Sequence, residues 1–156
     1  MLFRSMSVVT AGSTLGFLIW NKSPARIYMG DAGALFLGLI LSVLTVRLKP
    51  QTDTVFGGFA IPILLLATPL LDTCVAVTSR LQNNLSPFQG GQDHLSHRLL
   101  RIGFSKPTTA IILWTFSAYF TSIAIAITFL NFNEKILLSV AIVTWLLLFR
   151  FFITKE

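Results

Sequence analysis

The sequence predicts an all-α integral membrane protein with about five transmembrane helices, and its composition and apolar runs carry this prediction. Of 156 residues, 54% are hydrophobic and only 12% are charged, whereas soluble domains carry about 25% charged residues. The mean hydropathy is +0.77. Such a chain lacks the polar groups to cover a globular surface. The single Cys excludes a disulfide scaffold, and the apolar content excludes intrinsic disorder.

Five apolar runs have about the length that crosses a hydrocarbon core. They predict one membrane domain over residues 1–156, with spans at about residues 3–20, 32–48, 55–77, 108–130 and 136–153. The first run is the most marginal in length, and a cleavable signal peptide is the alternative interpretation for it. Its Gly, Ser and Thr residues favour a helix that packs closely against other helices.

The lysine and arginine residues predict the orientation, because cytoplasmic loops carry an excess of positive charge. Eight of the 12 lie in or beside the loops at residues 21–31 and 78–107 and the C-terminal tail, and four lie on the opposite side. We therefore expect both loops in the cytoplasm, with the N-terminus outside and the C-terminus inside. The pI of 10.1 follows from these charges at the membrane boundaries. The sequence has no basic segment with interspersed aromatic residues that would predict nucleic-acid binding.

The first of these loops, which we name the Met-Gly-Asp loop (residues 21–31), ends with an acidic residue before an apolar run. Asp31 falls at or near the N-cap of the next helix, and Gly30 permits unusual backbone angles beside it. One interpretation is that Asp31 only caps this helix. The other is a carboxylate that holds Mg²⁺ at the membrane surface, with backbone N–H groups nearby for phosphate oxygens.

The second loop, which we name the His loop (residues 78–107), contains both histidines of the chain. If a helix begins at Asp93, four residues at helical spacing share one polar face: His94, His97, Arg98 and Arg101. The opposite face of this short interfacial helix is then apolar and consists of Leu95, Leu99 and Ile102. Arginine forks suit phosphate oxygens. The alternatives are a Zn²⁺ site, which lacks further Cys or His ligands, and a loop that is basic only for topology.

Asp72 lies inside the third predicted span, where a carboxylate is costly and suggests a function. It precedes Arg80 by about two helical turns. Structural pairing with an Arg or His of the His loop is therefore an alternative to a catalytic role.

Both loops carry motifs of a known family. The run N-K-S-P-A-R-I-Y-M-G-D-A-G-A-L-F-L-G at residues 21–38 resembles the Met-Gly-Asp loop of the polyprenyl-phosphate N-acetylhexosamine-1-phosphate transferases, which form glycosyltransferase family 4. The run G-G-Q-D-H-L-S-H-R-L at residues 90–99 resembles their His motif. The resemblance implies transfer of a sugar 1-phosphate from a UDP-N-acetylhexosamine to undecaprenyl phosphate in the plasma membrane, with release of UMP. It implies a place at the start of cell-wall or lipopolysaccharide synthesis.

The resemblance also implies roles for individual residues. Asp31 corresponds to the family's metal-associated Asp, with Mg²⁺ or Mn²⁺ as the cofactor. Asn21 corresponds to a nucleotide-contacting Asn, and Tyr28 to an aromatic ring that stacks on uracil. Ser96 replaces the middle His of many members, which favours GlcNAc-1-phosphate over phospho-MurNAc-pentapeptide as the transferred group. The His loop supplies the other candidates: His94 and His97 as catalytic residues, Arg98 and Arg101 as substrate-binding residues.

The sequence departs from the family pattern in one respect. The family carries an adjacent Asp-Asp pair upstream of the Met-Gly-Asp loop, and this chain has no such pair. We therefore expect the chain to be the C-terminal half of such an enzyme and to be inactive alone, with a missing N-terminal half or a second copy as its partner. The alternatives are a non-catalytic membrane subunit that binds polyprenyl phosphate and a small proton-coupled transporter that uses Asp72 with His94 or His97.

Overall fold

The computed structural model describes residues 2–48, 50, 52, 54–88, 91–130 and 132–154, and these residues form helices and connecting loops without a strand. This confirms the predicted all-α fold. In chain order the helices are α1 (Leu2–Asn21), α2 (Gly30–Arg47), α3 (Val55–Leu65), α4 (Ala67–Gln82), α5 (Leu95–Arg101), α6 (Lys106–Phe129) and α7 (Glu134–Thr154).

Four of the five predicted spans correspond to single helices, namely α1, α2, α6 and α7, whose ends lie within two residues of the predicted ones. Local signals set several of these ends. Ser105 caps α6 by accepting a hydrogen bond from the Thr108 N–H at 3.3 Å. Asn133 accepts hydrogen bonds from the backbone N–H groups of Lys135 and Ile136 at the start of α7. Such caps satisfy N–H groups that have no partner within the helix.

The span predicted at residues 55–77 is not one helix but the pair α3 and α4, which meet at Leu66 with a bend of 71°. Proline explains the break. Pro69 has no N–H to donate to the Leu65 carbonyl, so a continuous helix would lose a hydrogen bond there and would clash with that carbonyl. As the third residue of α4, Pro69 instead lies in a first turn, where the missing N–H costs nothing.

Among the described residues, α2, α6 and α7 are long and apolar enough to cross a membrane, and the bent pair α3–α4 is a fourth candidate if it counts as one span. The predicted number of about five is therefore higher than the three or four that qualify. The difference is α1, which carries Arg4 and several hydroxyl residues. Its Thr10 and Thr14 hydroxyl groups donate to the carbonyls of Met6 and Thr10.

The chain divides into two compact units, Met1–Lys49 and Pro50–Glu156. In the first unit α1 packs against α2. In the second unit α4 packs against α6 and α7, and the short helix α5 packs against α4 and α6. The core of the second unit contains five buried residues from α4, α5 and α7: Leu71, Val75, Leu95, Leu99 and Phe152. The start of α5 is therefore attached to the packed part of that unit.

Candidate functional site

The Met-Gly-Asp loop folds back on the end of α1. The backbone N–H groups of Arg26 and Ile27 both donate to the Trp20 carbonyl, at 2.8 and 3.4 Å. The Asn21 side-chain amide donates to the Ile27 carbonyl at 2.9 Å. The Arg26 guanidinium lies over the Trp20 ring, 5.6 Å from its centroid. The loop therefore has an internal structure to which Asn21, a predicted nucleotide contact, already contributes one hydrogen bond.

Tyr28 and Asp31, the other two candidates of this loop, are both exposed. The Tyr28 residue is 82% exposed, so its ring is open to stacking. The helix α2 begins at Gly30, whose φ of +65° suits glycine. Met29 occupies the N-cap without a side-chain hydrogen bond, and Asp31 lies in the first turn.

The interpretation that Asp31 only caps a helix does not match this geometry, because Asp31 follows the N-cap by two positions. Asp31 is also exposed. The hydrogen bonds and ion pairs found among the described residues leave its carboxylate without a partner. A carboxylate in the first turn is favoured by the helix dipole, so Asp31 is tolerated there without a protein contact. Its oxygens are available to an external ligand.

The Met-Gly-Asp loop fits a metal ion only if other groups supply most of the ligands. Within the described ranges, no group of three or more His, Cys, Asp or Glu side chains comes together. Mg²⁺ is often held by one or two carboxylates together with substrate phosphates and water. Asp31 suits that arrangement, in which the substrate supplies most of the ligands.

The His loop has a different structure, which depends on Asp72 of α4. One oxygen of this carboxylate, Oδ1, accepts a hydrogen bond from the Leu95 N–H at 2.6 Å. The other, Oδ2, lies 2.8 Å from Nδ1 of His94. The predicted alternative that Asp72 pairs with an Arg or His of the loop is confirmed, and the partner is His94.

Arg80 holds the loop from the other end of α4. Its Nη1 forms an ion pair with Oδ2 of Asp93 at 2.8 Å, and its Nε donates to the Ser86 carbonyl at 2.8 Å. The Arg80 side chain is only 9% exposed. A Cβ added at Gly91 would overlap the Arg80 guanidinium and the Asp93 carboxylate. Glycine at position 91 therefore leaves room for this ion pair, while Gly90 lies outside the described residues.

The predicted polar face of the His-loop helix is wrong in part. The helix α5 begins at Leu95, with His94 at its N-cap, and not at Asp93. Arg98 lies on the buried side with Leu95 and Leu99, because the core of the unit packs against that side. Ile102, predicted on the apolar face, is 42% exposed and lies at the end of α5.

The two candidate arginines of α5 have different environments. Arg98 is 3% exposed, and its guanidinium donates to the Asp93 carbonyl at 3.0 Å and to the Phe152 carbonyl at 2.6 Å. Arg101 is exposed and donates to the Gln92 carbonyl at 2.5 Å. Arg98 therefore supports the loop from within. Arg101 retains the surface position that contact with a phosphate requires.

The two histidines are also separated by the structure. His94 is half exposed and lines a cavity of about 310 Å³ together with Arg80, Phe88 and Asp93. His97 is half-buried on α5 and does not line this cavity. Of the two histidines of the motif, the structure thus places only His94 in the cavity that the Arg80–Asp93 ion pair lines.

Arg80 and Asp93 were not among the predicted site residues. A signal for them exists in the composition, because the chain has only six acidic residues. An Asp beside several arginines in an apolar protein is expected to be paired, since a buried charge without a partner is costly. The identity of the partner depends on the fold and not on spacing.

The helices and two polar loops define a polytopic membrane protein with a transferase-like pair of motifs. The model of glycosyl transferase family 4 matches residues 1–49, which include Asn21, Tyr28 and Asp31. A probable undecaprenyl-phosphate N-acetylglucosaminyl 1-phosphate transferase of Bacillus subtilis is 36% identical over 126 residues, or 81% of this chain. A decaprenyl-phosphate N-acetylglucosaminephosphotransferase of Mycolicibacterium smegmatis is 34% identical over 70% of this chain.

A phospho-N-acetylmuramoyl-pentapeptide-transferase of Beutenbergia cavernae is 31% identical over 80% of this chain. No solved structure matches. The resemblance predicted from the two motifs is confirmed: over most of its length the chain is related to the polyprenyl-phosphate sugar-1-phosphate transferases of family 4. The aligned part of the chain covers 35%, 29% and 33% of these three relatives, so it spans about a third of their length.

Proposed function

We propose that the chain supplies the Met-Gly-Asp loop and the His loop to an enzyme that transfers a sugar 1-phosphate from a UDP-sugar to undecaprenyl phosphate. Asp31 is the observation that carries this proposal. It lies in the segment that matches the family model, it is exposed, and the described contacts leave its carboxylate for a ligand.

In the proposed reaction an oxygen of the lipid phosphate attacks the β-phosphorus of the UDP-sugar. The bond between this phosphorus and the bridging oxygen breaks, and UMP leaves with that oxygen. Asp31 would hold Mg²⁺ or Mn²⁺, and this ion would neutralise the negative charge that develops on the diphosphate. Tyr28 offers an exposed ring to the uracil base, and Asn21, at the end of α1, bonds to the carbonyl of Ile27, the residue before Tyr28.

The His loop offers groups for phosphate oxygens. We assign His94 and the exposed Arg101 to this contact, because both are accessible on a loop fixed by other residues. His97 remains a candidate at the second position of the motif. Arg98 acts indirectly, since its guanidinium bonds to two carbonyl groups of the chain.

We also propose GlcNAc-1-phosphate as the transferred group and an early step of cell-envelope polysaccharide synthesis, such as that of lipopolysaccharide, as the setting. Identities of 36% and 34% with relatives named for N-acetylglucosamine exceed the 31% with the pentapeptide transferase. The charge distribution supports a cytoplasmic position of both loops in the plasma membrane. The absence of an Asp-Asp pair supports the proposal that this chain does not turn over substrate alone.

A chimera tests this function. The matched segment of the Bacillus subtilis relative is replaced by the corresponding residues of this chain, and UMP release is measured with UDP-GlcNAc, undecaprenyl phosphate and Mg²⁺. We expect UMP release that requires both substrates and that Asp31→Asn lowers about 10²–10³-fold. Ser23→Ala, an exposed change in the same loop, is the matched control and retains activity.

Two further results decide the details. A chimera that inserts into the membrane but releases no UMP contradicts the proposed function. A chimera that prefers UDP-MurNAc-pentapeptide as donor contradicts the proposed sugar. The purified 156-residue chain is assayed in parallel. Mg²⁺-dependent UMP release by that chain would overturn the proposal that it needs a partner.

A further inference from the structure

Asp72 contacts two different groups at the point where the His loop enters α5. Its Oδ1 accepts the Leu95 N–H at 2.6 Å, and its Oδ2 lies 2.8 Å from His94 Nδ1. Because each oxygen of the carboxylate has its own partner, two contacts together hold its orientation. Asp72 follows Leu71, which is fully buried in the core. The carboxylate is therefore carried by a packed helix and not by a mobile loop.

This contact determines which nitrogen of His94 carries a proton. An ionised carboxylate only accepts hydrogen bonds, and a neutral imidazole has one N–H donor and one acceptor nitrogen. With an ionised carboxylate and a neutral ring, Nδ1, the nitrogen that faces Asp72, carries the proton and Nε2 is the acceptor. Among the described residues Nε2 has no hydrogen-bond partner, and the His94 side chain is 51% exposed.

We infer that Asp72 is a positioning residue that fixes the ring orientation and the tautomer of His94, so that Nε2 is the nitrogen presented to a substrate phosphate. The nature of the ligand rests on the proposed function. The tautomer does not rest on it. A carboxylate that orients a histidine through its second nitrogen is a general device for fixing which atom reacts.

The tautomer is measurable because the chain has only two histidines. The full chain is prepared in lipid nanodiscs with ¹⁵N-labelled histidine, and the ring nitrogens are observed by NMR over a series of pH values, from which the spectrum of the neutral ring is taken. His97→Asn identifies the signals of His94. We expect His94 with a protonated Nδ1 and an unprotonated Nε2.

Asp72→Asn separates positioning from a capping role. Its amide oxygen still accepts the Leu95 N–H, and its NH₂ group then faces Nδ1 and donates to it. We therefore expect the His94 proton to move to Nε2. A role confined to capping α5 would leave the tautomer unchanged. Asp93→Asn is the matched control, because Asp93 adjoins His94 but bonds to Arg80, and it should leave the tautomer of His94 as in the unchanged chain.

Two results would overturn the inference: a protonated Nε2 in the unchanged chain, or the same tautomer with Asp72 and with Asn at position 72. The first result needs no change at position 72, so a poorly folded Asp72→Asn chain leaves the inference testable. In the active chimera, Asp72→Asn and His94→Asn should each lower kcat by about tenfold or more with little change in KM. The double variant should be no slower than His94→Asn. Equal kcat for His94→Asn and the unchanged chimera would contradict the proposed role of His94 and not its tautomer.

Discussion

The Met-Gly-Asp loop and the His loop use their polar side chains in different ways. In the first loop Tyr28 and Asp31 are exposed, and the internal hydrogen bonds come from backbone groups and Asn21. In the second loop the charged groups bond to each other and to the backbone, as Arg80 does with Asp93. The first loop leaves these two side chains exposed, whereas the second uses most of its charged groups for bonds within the loop and to its surroundings.

The difference shows why the number of charges in a loop does not measure its binding capacity. Of the two arginines assigned to phosphate on sequence grounds, Arg98 is buried and Arg101 is exposed. Substitutions in the first loop should therefore change activity with little change in stability. Substitutions at the buried positions of the second loop should change stability first.

The largest expected effect on activity is that of Asp31→Asn. Asp31 makes no bond within the described chain, and Asp31→Asn removes only its favourable interaction with the helix dipole, so the variant should change its thermal unfolding temperature little. Removing one group that stabilises transition-state charge costs about 10²–10³ in kcat. UMP release by the chimera and tryptophan fluorescence during heating measure the two quantities. A matching loss of stability would show that Asp31 has a structural task instead.

The largest expected effect on stability is that of Arg98→Ala. The variant leaves the carbonyls of Asp93 and Phe152 without their guanidinium partner and opens a cavity in the core. Losing such buried hydrogen bonds to a charged group costs about 3 kcal/mol. Arg101→Ala is the matched control, since it removes an exposed arginine with one bond from the same helix. Its free energy of unfolding should change by less than about 0.5 kcal/mol. Equal losses for the two variants would contradict the assignment of Arg98 to the framework.

The helix positions were predictable because membrane thickness sets a length that apolar runs reveal directly. This signal gave the ends of α2, α6 and α7 within two residues. The bend between α3 and α4 has a local cause in Pro69, but the apolar run through it is continuous. Hydropathy alone therefore merges these two helices into one span.

The arrangement of the His loop was less predictable because it depends on contacts distant in sequence. Spacing places His94, His97, Arg98 and Arg101 on one face, but it does not show which side of the helix packs against the core, and Arg98 lies on the buried side. The Asp93 carboxylate bonds to Arg80, 13 residues earlier, and Arg98 bonds to the Phe152 carbonyl, 54 residues later. No local pattern encodes these partners. The Met-Gly-Asp loop is held by residues close in sequence, as in the bond from Asn21 to the Ile27 carbonyl, and the roles of its residues stay predictions.

A moderate effect is expected for Gly91→Ala. The added Cβ would overlap the ends of the Arg80 and Asp93 side chains, and these ends are fixed by their ion pair. Displacing the pair should lower the free energy of unfolding by about 1–2 kcal/mol, in the range of overpacking. Gly12→Ala on α1 is the control, because a Cβ there has open space around it. Equal unfolding temperatures for the unchanged chain and Gly91→Ala would show that the Arg80–Asp93 ion pair can shift without a loss of stability.

The smallest expected effect separates the ring of Tyr28 from its hydroxyl group. If the exposed ring stacks on uracil, Tyr28→Phe keeps the contact and Tyr28→Ala removes it. An aromatic contact contributes about 0.5–1.5 kcal/mol, so KM for UDP-GlcNAc in the chimera should rise by roughly 2- to 13-fold for Tyr28→Ala and remain nearly constant for Tyr28→Phe. Because the ring has few neighbours to lose, the unfolding temperature should stay constant in both variants. An equal rise in KM for both would assign the contact to the hydroxyl group, and no rise in either would remove Tyr28 from the nucleotide site.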